Sequence, residues 1–113
     1  MSDLSKSIIR IKSFEFACDI VLFSEVLKQN KHYEIASQVL RSGTGIGANV
    51  REAQRGVSTK DFKNKFGIAL KEADETEYWL QLIDATILDE IPNDLLKKCD
   101  ELIRILVSII KNS

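Results

Sequence analysis

A heptad ladder runs through the middle of the chain: Phe62, Phe66, Ala69, Ala73, Thr76, Leu80, Ile83 and Ile87 recur at steps of four and three. At 3.6 residues per turn these positions return to one stripe of an α-helix, so the segment must fold as a helix and bury that stripe. The stripe is bulky at its ends and small at its centre, at Ala69, Ala73 and Thr76. Just upstream, Arg41-Ser-Gly-Thr-Gly-Ile-Gly-Ala-Asn-Val-Arg-Glu-Ala53 is small as well. Two helices with matching small centres can approach closely there. The pattern specifies a packed helical scaffold and no reaction.

Three further helices follow from the same reading. The first spans about residues 5–29 and has two apolar stripes. Phe16, Ile20, Phe23 and Leu27 share one face, and Ile11, Phe14, Cys18 and Val21 lie on roughly the opposite one at 100° per residue. In a small bundle every helix keeps an outer side, so the second stripe predicts an oligomer interface. The second helix, about 33–55, presents Ile35, Val39, Ser42, Ile46, Asn49 and Ala53 inward. Gly43, Gly45 and Gly47 each cost a helix interior about 1 kcal/mol against alanine. Close helix packing explains that concession, and a local kink is the competing account. Gly56-Val57 is expected to end this helix through a left-handed glycine C-cap. Ser58 then caps the third helix, about 59–88, with Asp61 at its third position. Ile91-Pro92-Asn93-Asp94 turns into a fourth, about 94–111, whose Leu95, Cys99, Leu102, Leu106 and Ile109 step 4-3-4-3. Short connections make successive helices antiparallel neighbours. The expected fold is all-α, an antiparallel up-down-up-down four-helix bundle forming one domain over residues 1–113.

Composition narrows the function classes. The chain has 113 residues, 44% apolar and 29% charged, as in a globular protein with one core. A formal net charge of −1 gives the whole molecule no demand for an anionic partner. The distribution is uneven. Arg51, Arg55, Lys60, Lys63 and Lys65 against Glu52 and Asp61 leave residues 51–65 at +3, while ten carboxylates against Lys97 and Lys98 leave residues 72–101 at −8. Cys18 and Cys99 occupy apolar helix positions and read as two reduced core thiols, with no CxxC spacing for metal or redox chemistry. The N-terminus lacks signal-peptide character, and no run approaches the ~20 apolar residues of a membrane span. A cytoplasmic location without membrane association is expected.

No candidate chemistry survives inspection. Gly43-Thr-Gly-Ile-Gly47 has G-x-G-x-G spacing inside a helical segment, and neither a dinucleotide fingerprint nor a P-loop lysine accompanies it. Di-metal bundles need Glu-x-x-His motifs, and His32, the sole histidine, stands outside any such motif. No catalytic, cofactor-binding or metal-ligating residue and no small-molecule substrate is predicted. Arg41, Asn49, Glu52, Lys71, Glu72 and Glu75 read as a structural polar network that fixes helix register. Tyr78 and Trp79 read as packing. The basic cluster Arg51, Arg55, Lys60, Lys63 and Lys65 surrounds the turn between the second and third helices. Repeated around an oligomer's rim, it would contact phosphates collectively.

Two blocks then carry a resemblance. Gln38-Val-Leu-Arg-Ser-Gly-Thr-Gly-Ile-Gly-Ala-Asn-Val-Arg-Glu-Ala53 and Asp61-Phe-Lys-Asn-Lys-Phe-Gly-Ile-Ala-Leu-Lys-Glu-Ala-Asp-Glu-Thr-Glu-Tyr-Trp-Leu80 stand in order, with helix-opening Ser58 between them. Together they resemble the signature of the four-helix bundle proteins encoded by intervening sequences in bacterial 23S rRNA genes, over nearly the whole chain. The resemblance implies an antiparallel bundle assembled as a ring-like homopentamer, without an established biochemical activity. It also implies kinship with the accessory variability determinant of diversity-generating retroelements, which binds nucleic acid and a reverse transcriptase. Gly45 replaces the serine usual in the pattern, and the sequence pI near 5.8 departs from the basic retroelement proteins. The reading is a non-enzymatic homo-oligomeric scaffold; the alternative is an RNA- or DNA-binding accessory protein using the basic rim, alongside a reverse transcriptase.

Overall fold

Four helices carry the chain in a computed structural model that describes residues 3–56, 58–89 and 91–113. They are α1 (Asp3–Gln29), α2 (Tyr33–Gln54), α3 (Thr59–Thr86) and α4 (Leu95–Lys111), with a 3-10 turn at Pro92–Asp94 before α4. Among the described residues there is no strand. α1 packs on α2 and α4, and α3 packs on the same two, so α1 and α3 lie diagonally across the bundle. Val57 and Glu90, read above as part of a turn and of the acidic stretch, lie outside the described residues.

Contacts between the helices give their directions. On α1, Lys6, Ser13, Ile20 and Ser24 meet Gln54, Gly47, Gly43 and Ala36 of α2, so numbers rise on one as they fall on the other. Arg41 and Ser42, early in α2, meet Glu75 and Thr76 of α3, and Glu52, late in α2, meets Lys65, so α2 and α3 also run in opposite senses. Lys12 and Asp19 of α1 pair with Glu101 and Lys98 of α4. The bundle measures 43 × 21 × 18 Å. Its long axis is about the length of α1 at 1.5 Å per residue.

The heptad stripe of α3 faces the core: Phe66, Ala69, Ala73, Thr76, Leu80 and Ile83 are buried, and Phe62 and Ile87 are half-buried at its ends. The glycines of α2 serve packing, for α2 runs unbroken through them. A Cβ built on Gly43 would lie 2.8 Å from Ile20 Cγ2, and one on Gly47 3.3 Å from the Ser13 carbonyl oxygen. At the same level Thr76 and Ser42, both fully buried, share a hydrogen bond of 2.9 Å between α3 and α2. Small side chains let the backbones close, and paired hydroxyls avoid the penalty of unsatisfied burial.

Helix ends show what the local pattern specifies. Ser58 Oγ accepts from the Asp61 N–H at 3.1 Å, the expected N-cap of α3. The expected glycine C-cap of α2 is corrected. Among the described residues no glycine has positive φ, and α2 closes at its C-cap Arg55, where Arg55 and Gly56 donate to the Glu52 and Ala53 carbonyls at 3.1 Å. These i→i−3 bonds tighten the last turn and satisfy the carbonyls without a left-handed residue. Before α4 the left-handed positions are Asn93 and Asp94, at φ 57° and 54°. The expected pair of core thiols is also corrected: Cys99 is buried and Cys18 is exposed. Apolarity placed Cys18 on a helix face, and that face is the outer one.

Candidate interaction surface

The two stripes of α1 separate completely. Phe16, Ile20, Phe23 and Leu27 are buried, whereas Ile11, Phe14 and Val21 expose 58%, 57% and 43% of their surface. Cys18 lies among them, and Leu4, Leu22 and Val26 extend the exposed run along the helix. Along one helix these make an exposed apolar row, interrupted by the exposed Glu15 and Glu25, and distinct from the scattered Tyr33, Tyr78, Leu82 and Val107 on the other helices.

Beside the stripe lies a groove between α1 and α2, with a cavity volume of about 380 Å³. Its small lining residues are Ser13, Ala17, Thr44, Gly47 and Ala48; the larger ones are Phe14, Arg10, Arg51, Arg55 and Glu52. The Arg51 guanidinium carbon sits 6.0 Å from the Phe14 ring centroid, within cation–π reach. Glu52 turns to Lys65, at 3.2 Å. The structure therefore divides the predicted basic cluster: Arg51 and Arg55 line this groove, Lys65 pairs with Glu52, and Lys60 and Lys63 are exposed near the start of α3. Arg10 joins them from α1. Sequence reasoning missed it because Arg10 is remote in number, and only the inverse register of α1 on α2 brings it to Arg51. Lys6 reaches the same end of the bundle, 5.6 Å from the Phe62 ring centroid.

The predicted polar network also divides. Arg41 of α2 pairs with Glu75 and, at 3.6 Å, with Glu72 on α3. Glu75 also accepts a hydrogen bond from Trp79 Nε1 at 2.9 Å, a partner the sequence reading had assigned to packing. The bond from Trp79 is the main cause holding the Glu75 carboxyl below its usual range. Burial opposes it, and Arg41 and Lys71 add to the lowering. Gly45 makes room for this cluster, since a Cβ there would stand 2.7 Å from a Glu72 carboxylate oxygen. Asn49 stays apart, its amide donating to the Gly45 carbonyl of its own helix at 2.8 Å. Among the described residues no three His, Cys, Asp or Glu side chains gather as a metal site, and no helix is long and apolar enough to cross a membrane.

This geometry belongs to a recognisable group of proteins. The profile of the 23S rRNA-intervening sequence protein family matches residues 5–108. A crystal structure of a protein with unknown function, from the S23 ribosomal protein family of Bacteroides thetaiotaomicron VPI-5482, is similar at 41% sequence identity and a TM-score of 0.88. The match covers 95% of this chain and 98% of that one. No curated protein matches the chain. With its bundle, its signature blocks and this match along most of its length, the chain belongs to the 23S rRNA-intervening sequence protein family.

Proposed function

We propose that the protein is a non-enzymatic, cytoplasmic homo-oligomeric scaffold, a pentamer, whose copies meet through the outer stripe of α1. The exposed run Ile11, Phe14, Cys18 and Val21 carries this reading. It lies on the side of α1 away from the core, so the fold of one chain gives it no cover. Covering it would recover about 25 cal/mol per Å² of apolar surface. The pentameric number comes from the family resemblance, not from the stripe. The test is the native mass of the wild type and of Phe14→Glu/Val21→Glu. A pentamer that becomes a folded monomer supports the reading, and an unchanged mass places the interface elsewhere.

A second reading is favoured by the basic end of the bundle, where Lys6, Arg10, Arg51, Arg55, Lys60 and Lys63 gather from three helices. In that reading the scaffold is an accessory protein for RNA or DNA, working with a reverse transcriptase. Salt-dependent binding of a structured RNA, compared with DNA of equal length, tests it.

A further inference from the structure

We infer that the groove between α1 and α2 seats the phosphate backbone of a bound nucleic-acid strand, with Arg10, Arg51 and Arg55 as the contacting cations. The inference rests on the nucleic-acid reading above and narrows its site: Arg51 and Arg55 of the basic cluster are kept, Arg10 of α1 joins them, and the lysines at the start of α3 are left out.

The five arginines of the chain fall into two groups. Arg41 is paired with Glu72 and Glu75, and Arg104 lies 2.9 Å from Asp100. The other three line one groove, and among the described residues none of them has a carboxylate oxygen within 4.0 Å. Glu52, which also lines the groove, is engaged by Lys65; Glu15 borders the neighbouring depression beside Arg10 without pairing to it. Three arginines therefore line one groove against a single carboxylate, Glu52, which is turned to Lys65, and an anion entering the groove meets net positive charge.

The positions suit a strand. Arg51 in the last turn of α2 and Arg55 at its C-cap are four residues apart, and Arg10 lines the same groove from α1. Beyond Arg51, towards the middle of α2, the lining is small, at Thr44, Gly47 and Ala48, so a sugar–phosphate chain can approach the helix surface there. Guanidinium matches phosphate with two parallel hydrogen bonds and stays charged at any physiological pH. The Phe14 ring, 6.0 Å from the Arg51 guanidinium carbon, forms part of the groove's α1 wall. A nucleic-acid strand supplies a regular series of anions to such a row.

The experiment titrates a labelled RNA oligonucleotide, and DNA of the same length, against three full-length proteins over a range of salt: wild type, Arg10→Gln/Arg51→Gln/Arg55→Gln and Lys60→Gln/Lys63→Gln. The groove variant is expected to bind about tenfold or more weakly at low salt and to flatten the slope of log K against log salt by about two, at about 0.7 per phosphate contact on a single strand. The lysine variant is expected to keep the wild-type slope. Circular dichroism and native mass establish that the groove variant is folded; if it is not, Arg10→Gln alone is expected to reduce the slope by about 0.7. A folded groove variant with wild-type affinity and slope overturns the inference and leaves the nucleic-acid reading standing. Competition by polyglutamate as effective as by unlabelled RNA overturns it in favour of an acidic protein partner. Wild-type protein that binds neither RNA nor DNA at low salt overturns both.

Discussion

Gly43 lies so close to Ile20 that a Cβ on it would stand 2.8 Å from Cγ2, 2.9 Å from Cγ1 and 3.2 Å from Cβ of that buried side chain. A β-branched residue at the core has nowhere to move. Gly43→Ala is therefore expected to destabilise the fold by about 1–2 kcal/mol, the overpacking cost outweighing the helix-propensity gain. Gly45 is the control. A Cβ there meets the far end of the flexible Glu72 side chain, so Gly45→Ala is expected to stay within about 0.5 kcal/mol of wild type, the propensity gain offsetting a weakened surface pair. Urea denaturation of the two variants checks the contrast; equal losses would mean the seam is uniformly tight.

The buried Ser42–Thr76 hydrogen bond predicts non-additivity. Thr76→Val leaves the Ser42 hydroxyl in the core without its partner and is expected to cost about 1–2 kcal/mol. Adding Ser42→Ala removes the stranded group, so the double variant should lose less than the two single losses combined. Additive losses in a double-mutant cycle would show that the two hydroxyls do not act as a pair.

Trp79 is the single tryptophan, and its indole nitrogen donates to Glu75, so its fluorescence should report that carboxyl. Glu75 titrates below its usual 4.5 in the folded protein. A depressed carboxylate contributes stability above the unfolded-state value and loses it as pH falls through the folded value. The emission is expected to change in acid with a midpoint below 4.5, and Glu75→Gln should abolish that step. A midpoint at or above 4.5 in the wild type would contradict the arrangement.

The two thiols should behave oppositely. Burial first, then the charges of Glu77, Asp74 and Asp100, push the Cys99 thiol up to about 12, so it stays protonated and enclosed. In Phe14→Glu/Val21→Glu, one thiol per chain is expected to react promptly with a maleimide, at Cys18, and the second only on unfolding. Because the folded thiol holds its proton more tightly than the unfolded one, Cys99 withdraws stability as pH rises from about 9 towards about 12. Thiol counting by mass spectrometry and denaturation at alkaline pH test both statements.

Much of this fold is legible before any coordinates, and the reason is periodicity. The stripe of α3 and the double stripe of α1 follow from spacing alone, because a helix converts sequence intervals directly into faces. The glycine seam is legible as a demand for room, though not its neighbours Ile20 and Ser13. What escaped depends on register or on hydrogen-bond geometry. Arg10 joins Arg51 only when α1 is laid against α2 in the right register. The end of α2 is closed by i→i−3 bonds, which carry no residue signature, so Gly56 suggested a cap it does not form. Cys18 was placed correctly by spacing, on the outer stripe of α1, and wrongly by composition, as a core thiol; the structure sides with the spacing.

For anyone recoding this sequence, the half-turn between the stripes of α1 is a clean partition. Residues that build the bundle and residues that present its outer surface do not overlap on that helix. The outer positions can be rewritten as a polar surface, or as a new binding face, with the core codons untouched. The seam at Gly43 offers no such freedom.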